Sequence, residues 1–148
     1  MEDIKFNHTL PIQLRFNDVD ALGHVNNTVY FSFYDLGKTN YFEAVRHVKI
    51  DKHNVDVVIA SIKADFLLPV FPKENIAVQT AVTEIGNKSF KLFQQVVNTD
   101  TKEVKCICTT VMVGFDFQTG MSKVISDEWK HAICEYEGRD DLIRSHHS

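Results

Sequence analysis

The apolar residues between Tyr30 and Val45 recur at steps of three and four, and this pattern constrains the fold more than any other feature of the chain. The period is that of one face of an amphipathic helix of about five turns. Gly37 lies in the middle of that face, where a missing side chain lets a helix approach a sheet closely, at about 1 kcal/mol of helix propensity. The sequence therefore predicts one long helix across a sheet. Its apolar face comprises Tyr30, Phe33, Tyr34, Gly37, Tyr41, Ala44 and Val45.

Strand-like segments lie on both sides of the helix. Thr9 to Phe16 alternates apolar and polar residues, which is the period of a half-buried strand. Short turn-forming segments separate the later runs, so we predict antiparallel connections. A short C-terminal helix is indicated by a cap at Ser126 or Asp127 and an end at Gly138. The later strands are predicted at Val57 to Leu68, Asn75 to Ile85, Ser89 to Asn98 and Val104 to Phe117.

These elements predict an α+β domain in which a five-stranded antiparallel sheet wraps around one long central helix. The strand from Val57 to Leu68 has apolar residues at even positions, so we expect one face to pack and the other to meet solvent or a partner. The last strand is apolar at nearly every residue from Cys106 to Phe115, which is typical of a central strand covered on both sides.

Length and charge limit the possible functions. The 148 residues suit a single domain spanning 1–148, with a loose tail expected from about 139. The net charge is −4 and no long run of Lys or Arg is present, which argues against nucleic-acid binding. The N-terminus lacks an apolar stretch long enough for a signal peptide or membrane span. We therefore expect a cytoplasmic protein that binds neither nucleic acid nor membrane.

Neither the cysteines nor the histidines show metal-ligand spacing. Cys106 and Cys108 lie two apart in an apolar strand, and a CxC pair without a second pair favours reduced core thiols over a zinc or redox site, as does the lone Cys134. We predict no metal and no cofactor.

The polar loop from Asn17 to Asn27 contains the residues that suit catalysis. Asp18 and Asp20 can both be interpreted as acids that stabilise a turn or cap a helix. However, Gly23 permits a sharp turn, and a helix beginning just after the loop presents unpaired N–H groups to the oxygen of a polarised carbonyl. A carboxylate beside such donors is the minimal arrangement for attack on an acyl group.

Residues 15–30, RFNDVDALGHVNNTVY, resemble the signature of the 4-hydroxybenzoyl-CoA thioesterase branch of the hotdog superfamily. The later segments ADFLLP at 64–69 and EIGNKSF at 84–90 are similar to that family's strand segments, so the resemblance covers about residues 9–117. It implies a hotdog fold and an acyl-CoA thioesterase. It also implies a homodimer or dimer of dimers, because the family's pockets form between subunits.

The resemblance assigns catalytic roles within the loop. Asp20 matches the catalytic carboxylate, as nucleophile or general base, and Asp18 a structural turn acid. The backbone N–H at Asn27 matches the donor that polarises the carbonyl, with Gly23 shaping the approach. His24 fits the HVNN variant of fatty-acyl members, either as a structural imidazole bridging loop to helix or as a catalytic base.

Further positions correspond to substrate binding. Lys88 and Ser89 match a site for the CoA nucleotide, although a solvated turn lysine is the alternative. The aromatic stripe that begins at Tyr30 suits fatty or aryl acyl groups and also belongs to the core. Asp35 and Glu43 are interpreted as solvent-facing partners of Lys38 and Arg46 at helical spacing.

The predicted function is hydrolysis of a fatty or aryl acyl-CoA to the free acid and CoA. The alternative is a hotdog protein that binds an acyl-CoA, or serves as an interaction module, without turnover. A hydratase of the same superfamily would require a different Asp-to-His spacing, and we find no such motif.

Overall fold

The computed structural model describes residues 4–51 and 55–143. A short strand and a 3-10 turn at Phe16–Asp18 precede one long helix, α1. Five strands and a shorter helix, α2, follow it. The strands are β1 His8–Ile12, β2 Val57–Phe66, β3 Ile76–Ile85, β4 Ser89–Asn98, β5 Val104–Asp116 and β6 Met121–Ser122, and the helices are α1 Val29–Arg46 and α2 Asp127–Glu137.

The strands form one antiparallel sheet in the order β1-β3-β4-β5-β2, with the two-residue β6 paired to β5. The predicted five-stranded sheet, long helix and short C-terminal helix are confirmed. Strands β1 and β2 form the two edges of this sheet. Among the described residues, no helix is long and apolar enough to cross a membrane.

Helix α1 packs across the sheet through Gly37, as predicted. A Cβ built at Gly37 would lie 2.6 Å from Cγ1 of Val78 on β3 and 3.2 Å from the side-chain nitrogen of Gln94 on β4. That nitrogen also donates to the backbone carbonyl of Tyr34 in α1 at 3.0 Å. Only glycine permits this approach without a shift of the neighbouring side chains.

Strand β1 is shorter than predicted, since it ends at Ile12 rather than Phe16. The backbone N–H of Arg15 donates to the carboxylate of Asp18, and the chain turns into the 3-10 segment. The side chain of Phe16 is consequently 95% exposed. The alternation of apolar and polar residues therefore continues past the end of the strand, into a turn that the Asp18 carboxylate stabilises.

The prediction that one face of β2 packs is wrong for the single chain. A bulge between Ile59 and Ser61 interrupts the alternation, and most of the strand is exposed. Ile62 and Phe66, on the helix-facing side, are 39% and 42% exposed. Among the strands of the described residues, none pairs with the outer edge of β2.

Strand β5 is central, but it is not fully covered on both sides as predicted. The residues facing the helix, including Cys106 and Cys108, are buried. On the opposite face Ile107 and Val111 are only partly buried and Thr109 is exposed. Its uninterrupted apolar run therefore includes an outer face that the single chain leaves partly open.

Helix α2 has the predicted ends. The side chain of Ser126 accepts from the Trp129 backbone N–H, and Gly138 closes the helix in the left-handed conformation at φ 69°. Beyond it, the carbonyl of Leu142 accepts from the N–H of Ile85, and Leu142 is buried. The segment predicted as a loose tail thus packs against β3 as far as Ile143, and residues 144–148 lie outside the described residues.

Candidate active site

Asp18 is a buried structural acid, 1% exposed. Its carboxylate accepts from the Arg15 backbone N–H at 2.8 Å and from the Arg15 guanidinium at 3.2 Å. Its carbonyl accepts from the N–H of Asn26, so Asp18 ties the start of the loop to its end. This environment agrees with the turn role inferred from the sequence.

Asp20 lies on the same loop but faces a cleft. One carboxylate oxygen accepts from the Leu22 N–H at 2.9 Å, and the other oxygen has no hydrogen-bond partner among residues 4–51 and 55–143. The Asp20 carbonyl accepts from Gly23, whose φ of 85° supplies the left-handed turn. The side chain thus stabilises a turn and still presents a free oxygen. The cleft, which we call the carboxylate cleft, measures about 400 Å³ and is lined by Leu14, Arg15, Phe16, Val19, Asp20 and Pro72.

The beginning of α1 presents an unpaired amide. The carboxamide oxygen of Asn26 accepts from the backbone N–H and the hydroxyl of Thr28, and the Asn26 carbonyl accepts from the N–H of Val29. In the described part of the chain, no group accepts from the Asn27 N–H. Asn27 is exposed at a helix N-terminus, where the partial positive charge favours an oxyanion.

A second, smaller cleft lies at this helix start, and we call it the amide cleft. The N–H of Asp20 donates to the carbonyl of His24 at 3.1 Å, so the backbone directly joins the linings of the two clefts. Within one chain, Asp20 and Asn27 therefore line neighbouring clefts rather than a common one. The amide cleft measures about 190 Å³ and is lined by His24, Asn27, Tyr30, Phe66, Leu67, Leu68 and Pro69.

Tyr30 forms the inner wall of the amide cleft. It is 2% exposed, and its ring packs edge-on against Phe66, with centroids 5.3 Å apart, and against Phe33 at 5.9 Å. Burial raises the pKa of the Tyr30 hydroxyl to about 12. The hydroxyl is therefore neutral at physiological pH and can act only as a hydrogen-bonding group.

His24 lines the amide cleft, partly buried. Its Nδ1 lies 3.2 Å from the carbonyl of the adjacent Val25, so the ring contacts its own loop rather than the helix. The bridge from loop to helix expected for a structural His24 imidazole is therefore not formed through Nδ1.

The loop that borders the amide cleft is anchored by a buried lysine. The ammonium of Lys105 lies 2.8 Å from Glu74 and 3.3 Å from the carbonyl of Pro69, and the Lys105 carbonyl accepts from the N–H groups of Leu67 and Leu68. Burial opposes ionisation of Glu74, but hydrogen bonds from Lys105, Phe71 and Asn98 prevail and lower its pKa. This loop was not predicted as part of the site, although the segment at 64–69 was one of those that carried the family resemblance.

Lys88 and Ser89 lie at the other end of the sheet from Asp20. Ile12, the last residue of β1 before the Asp20 loop, pairs with Ile76, the first residue of β3. Ser89 is the first residue of β4 and follows the opposite end of β3, where it pairs with Val113 of β5. Ten-residue strands at about 3.3 Å per residue separate the two ends by roughly 30 Å. A single chain therefore does not bring these residues together with Asp20.

The two helix acids differ from each other. Asp35 pairs with Lys38 at 3.2 Å as predicted, although the Lys38 side chain is buried. The predicted pairing of Glu43 with Arg46 is wrong, because Arg46 pairs with Glu128 of α2 at 2.8 Å. Glu43, which is partly buried, instead accepts from the N–H of Ile50 and holds the chain after α1.

All three cysteines are buried free thiols, as predicted. Burial is the main cause that raises the pKa of Cys106, to about 11, and it also raises the pKa of Cys108 and Cys134. Across the described residues, no three His, Cys, Asp or Glu side chains are grouped so that they would hold a metal ion.

Comparisons with known proteins identify the class. The profile of the thioesterase-like superfamily matches residues 14–133. An uncharacterised protein from Bacillus subtilis, YsmA, is 26% identical over 125 residues, which are 82% of each chain. Two solved structures share the fold. A Thermus thermophilus thioesterase complexed with coenzyme A and Zn has a TM-score of 0.80 and 24% identity, and covers 90% of this chain and 96% of its own.

The second structure is a 1,4-dihydroxy-2-naphthoyl-CoA thioesterase from Synechocystis, with a TM-score of 0.75, 16% identity, and coverage of 86% and 96%. The chain belongs to the thioesterase-like superfamily and has its hotdog fold. The resemblance inferred from residues 15–30 and the prediction of a thioester hydrolase are therefore confirmed.

Proposed function

We propose that this protein hydrolyses acyl-CoA thioesters, with Asp20 as the catalytic carboxylate and the Asn27 N–H as the oxyanion donor. The observation that carries the proposal is the unpaired Asn27 amide at the start of α1, close to the loop on which Asp20 presents a free carboxylate oxygen. The backbone hydrogen bond from the Asp20 N–H to the His24 carbonyl joins the two parts of the site. The Thermus thermophilus relative, complexed with coenzyme A, supports CoA as the carrier.

Two routes lead to the same products. Asp20 either attacks the carbonyl carbon, so that the C–S bond breaks and water then hydrolyses the mixed anhydride, or it takes a proton from the water that attacks. In both routes the carbonyl oxygen gains negative charge facing the Asn27 amide. The leaving CoA thiolate takes a proton, and the net reaction consumes one water to yield a carboxylic acid and CoA.

The complete site requires a second copy of the chain. Antiparallel pairing of two exposed β2 edges would place the Phe66 end of one strand beside the Val57 end of the other. Because β4 begins at that same end, Lys88 and Ser89 of the second copy would lie on the side of the first copy's Asp20 loop. There they would bind the CoA nucleotide. The partly exposed outer face of β5 offers a surface for joining two such dimers.

Three free cysteines agree with a cytoplasmic location.

Replacement of Asp20 by Asn tests the catalytic assignment. We expect release of free thiol from acyl-CoAs to fall by a factor of about 10² to 10⁴, because the amide can neither attack nor accept the proton. Asn retains the side-chain oxygen that accepts from Leu22, so the thermal unfolding midpoint should not change. Full activity in this variant would refute the role of Asp20. Binding of acyl-CoA by the wild-type protein without thiol release would favour the non-catalytic alternative.

A further inference from the structure

We propose that Phe66 determines substrate specificity by limiting the acyl group to short or compact chains. This inference rests on the proposed thioesterase function and adds the size class of the acyl group. Phe66 and Tyr30 both line the amide cleft and their rings pack edge-on, so the two rings together would close the path along which an acyl chain extends from the Asn27 amide.

The two rings differ in how firmly they are held. Tyr30 is buried, packs against Phe33, and belongs to the core cluster that includes Val25 and Val70. Its movement would disturb the interior. Phe66 is the last residue of the edge strand β2 and is exposed, so its ring contacts the wall from one side only. The movable or replaceable part of the barrier is therefore Phe66.

The volume of the cleft sets the limit. The amide cleft of one chain, at about 190 Å³, is smaller than the roughly 300–1,000 Å³ of pockets that enclose a drug-sized ligand, so it suits an acyl group of only a few carbon atoms. A butyryl chain or a single aromatic ring is of this size. A palmitoyl chain is more than twice as long and would require space beyond the rings.

The residues next to Phe66 on the same face of β2 are apolar. The register pairs Phe66 with Cys106, Ala64 with Cys108, and Ile62 with Thr110, so Ala64 and Ile62 follow Phe66 toward the middle of the strand. Ala64 is small, and Ile62, on the helix-facing side of this edge strand, is 39% exposed. Removal of the Phe66 ring would therefore open the amide cleft onto an apolar strip along β2.

The test compares thiol release from butyryl-, benzoyl- and palmitoyl-CoA in the wild-type protein, Phe66→Ala and Phe66→Leu. We expect the wild-type protein to prefer the two small substrates. Phe66→Ala should raise the palmitoyl-to-butyryl ratio of kcat/KM by about tenfold or more, and Phe66→Leu by less. Phe66→Leu also keeps the proposal testable if the alanine variant does not fold.

Phe117→Ala is the matched control. Phe117 is exposed and packs edge-on against Phe115, with centroids 4.9 Å apart, but does not line either cleft. Its loss should leave the ratio unchanged. The proposal is overturned if the wild-type protein hydrolyses palmitoyl-CoA as well as butyryl-CoA, or if neither Phe66 variant changes the ratio.

Failure of the proposed function has a different outcome. If the wild-type protein releases thiol from none of the three substrates, the hydrolysis proposal fails, and binding of butyl and hexadecyl thioethers of CoA then tests the size limit directly. Tighter binding of the butyl thioether, with the preference reduced in Phe66→Ala, would support the limit. Equal binding of both thioethers, or an unchanged preference in that variant, would refute it.

Discussion

Asp18 and Asp20 show how two identical side chains, two positions apart, take different environments. On residue type alone both could be interpreted as turn acids, and the family resemblance assigned the catalytic role to the second. The structure buries Asp18 against the backbone of Arg15 and leaves one oxygen of Asp20 free at a cleft. Residue type did not distinguish them; the difference comes from the direction in which the 3-10 turn at Phe16–Asp18 carries each side chain.

This difference predicts a loss of stability rather than a direct loss of catalysis from Asp18→Asn. The variant loses the ion pair with the Arg15 guanidinium and places an amide nitrogen in a buried site where the neighbouring groups are N–H donors. We expect the free energy of unfolding to fall by about 1 to 3 kcal/mol, measured by chemical denaturation. Asp20→Asn is the matched control and should unfold at the wild-type midpoint. Equal stability of both variants would contradict the structural role of Asp18.

At the scale of elements, periodicity predicted the helix and the central strands well and the sheet edges poorly. Helix α1 and strand β4 follow the expected positions because burial on one face imposes a regular pattern. The predicted end of β1 and the predicted packing of β2 were wrong for a common reason. The hydrogen bond that the Asp18 carboxylate accepts from the Arg15 N–H, and the bulge after Ile59, depend on contacts that periodicity does not encode. Likewise, Lys105 reaches the cleft loop only through the fold.

The junction of α1, α2 and β3 contains a buried acid whose titration should affect stability. Glu137 accepts from the Tyr41 hydroxyl and, at 3.4 Å, from the Val82 N–H. Burial raises the pKa of Glu137 and outweighs these hydrogen bonds, which lower it. The native state therefore keeps this proton to higher pH than the unfolded chain, and stability falls as pH rises from the unfolded value of about 4.3 through the folded one.

Glu137→Gln removes this titration and keeps an oxygen that can accept from Tyr41. Below about pH 4 the protonated acid and the amide should behave alike. As pH rises to neutrality, the melting temperature of the glutamine variant should increase relative to the wild-type protein. Thermal unfolding across this pH range measures the difference. A constant difference, or one that changes in the opposite direction, would show that Glu137 is not destabilised by ionisation.

At the scale of the whole molecule, a single chain leaves two features incomplete. The edge β2 exposes apolar residues on its helix-facing side, and Lys88 lies at the far end of the sheet from Asp20. The sequence predicted that this apolar side of β2 packs and that the opposite side meets solvent or a partner. Only the three-dimensional register shows that the two halves of the proposed site lie at opposite ends of the sheet.

If two β2 edges pair, a charge introduced at position 62 should both separate the subunits and reduce activity. Ile62→Glu places a carboxylate on the exposed, helix-facing side of the edge, where two copies would meet. We expect sedimentation to show a shift toward monomer and thiol release to fall in parallel. Ile143→Glu is the control, because Ile143 is also exposed but lies beside β3, away from β2. A fully active monomer would contradict a site shared between subunits.

The approach of α1 to the sheet at Gly37 has a consequence for how this sequence can change over time. One methyl group of Val78 occupies the gap that the glycine leaves. A larger residue at position 37 is tolerated only if position 78 becomes smaller, and a bulkier residue at 78 would lift the helix and displace its N-terminus with Asn27. The two positions are therefore expected to vary together among homologues, because together they fix the distance of α1 from the sheet and with it the position of Asn27, the proposed oxyanion donor.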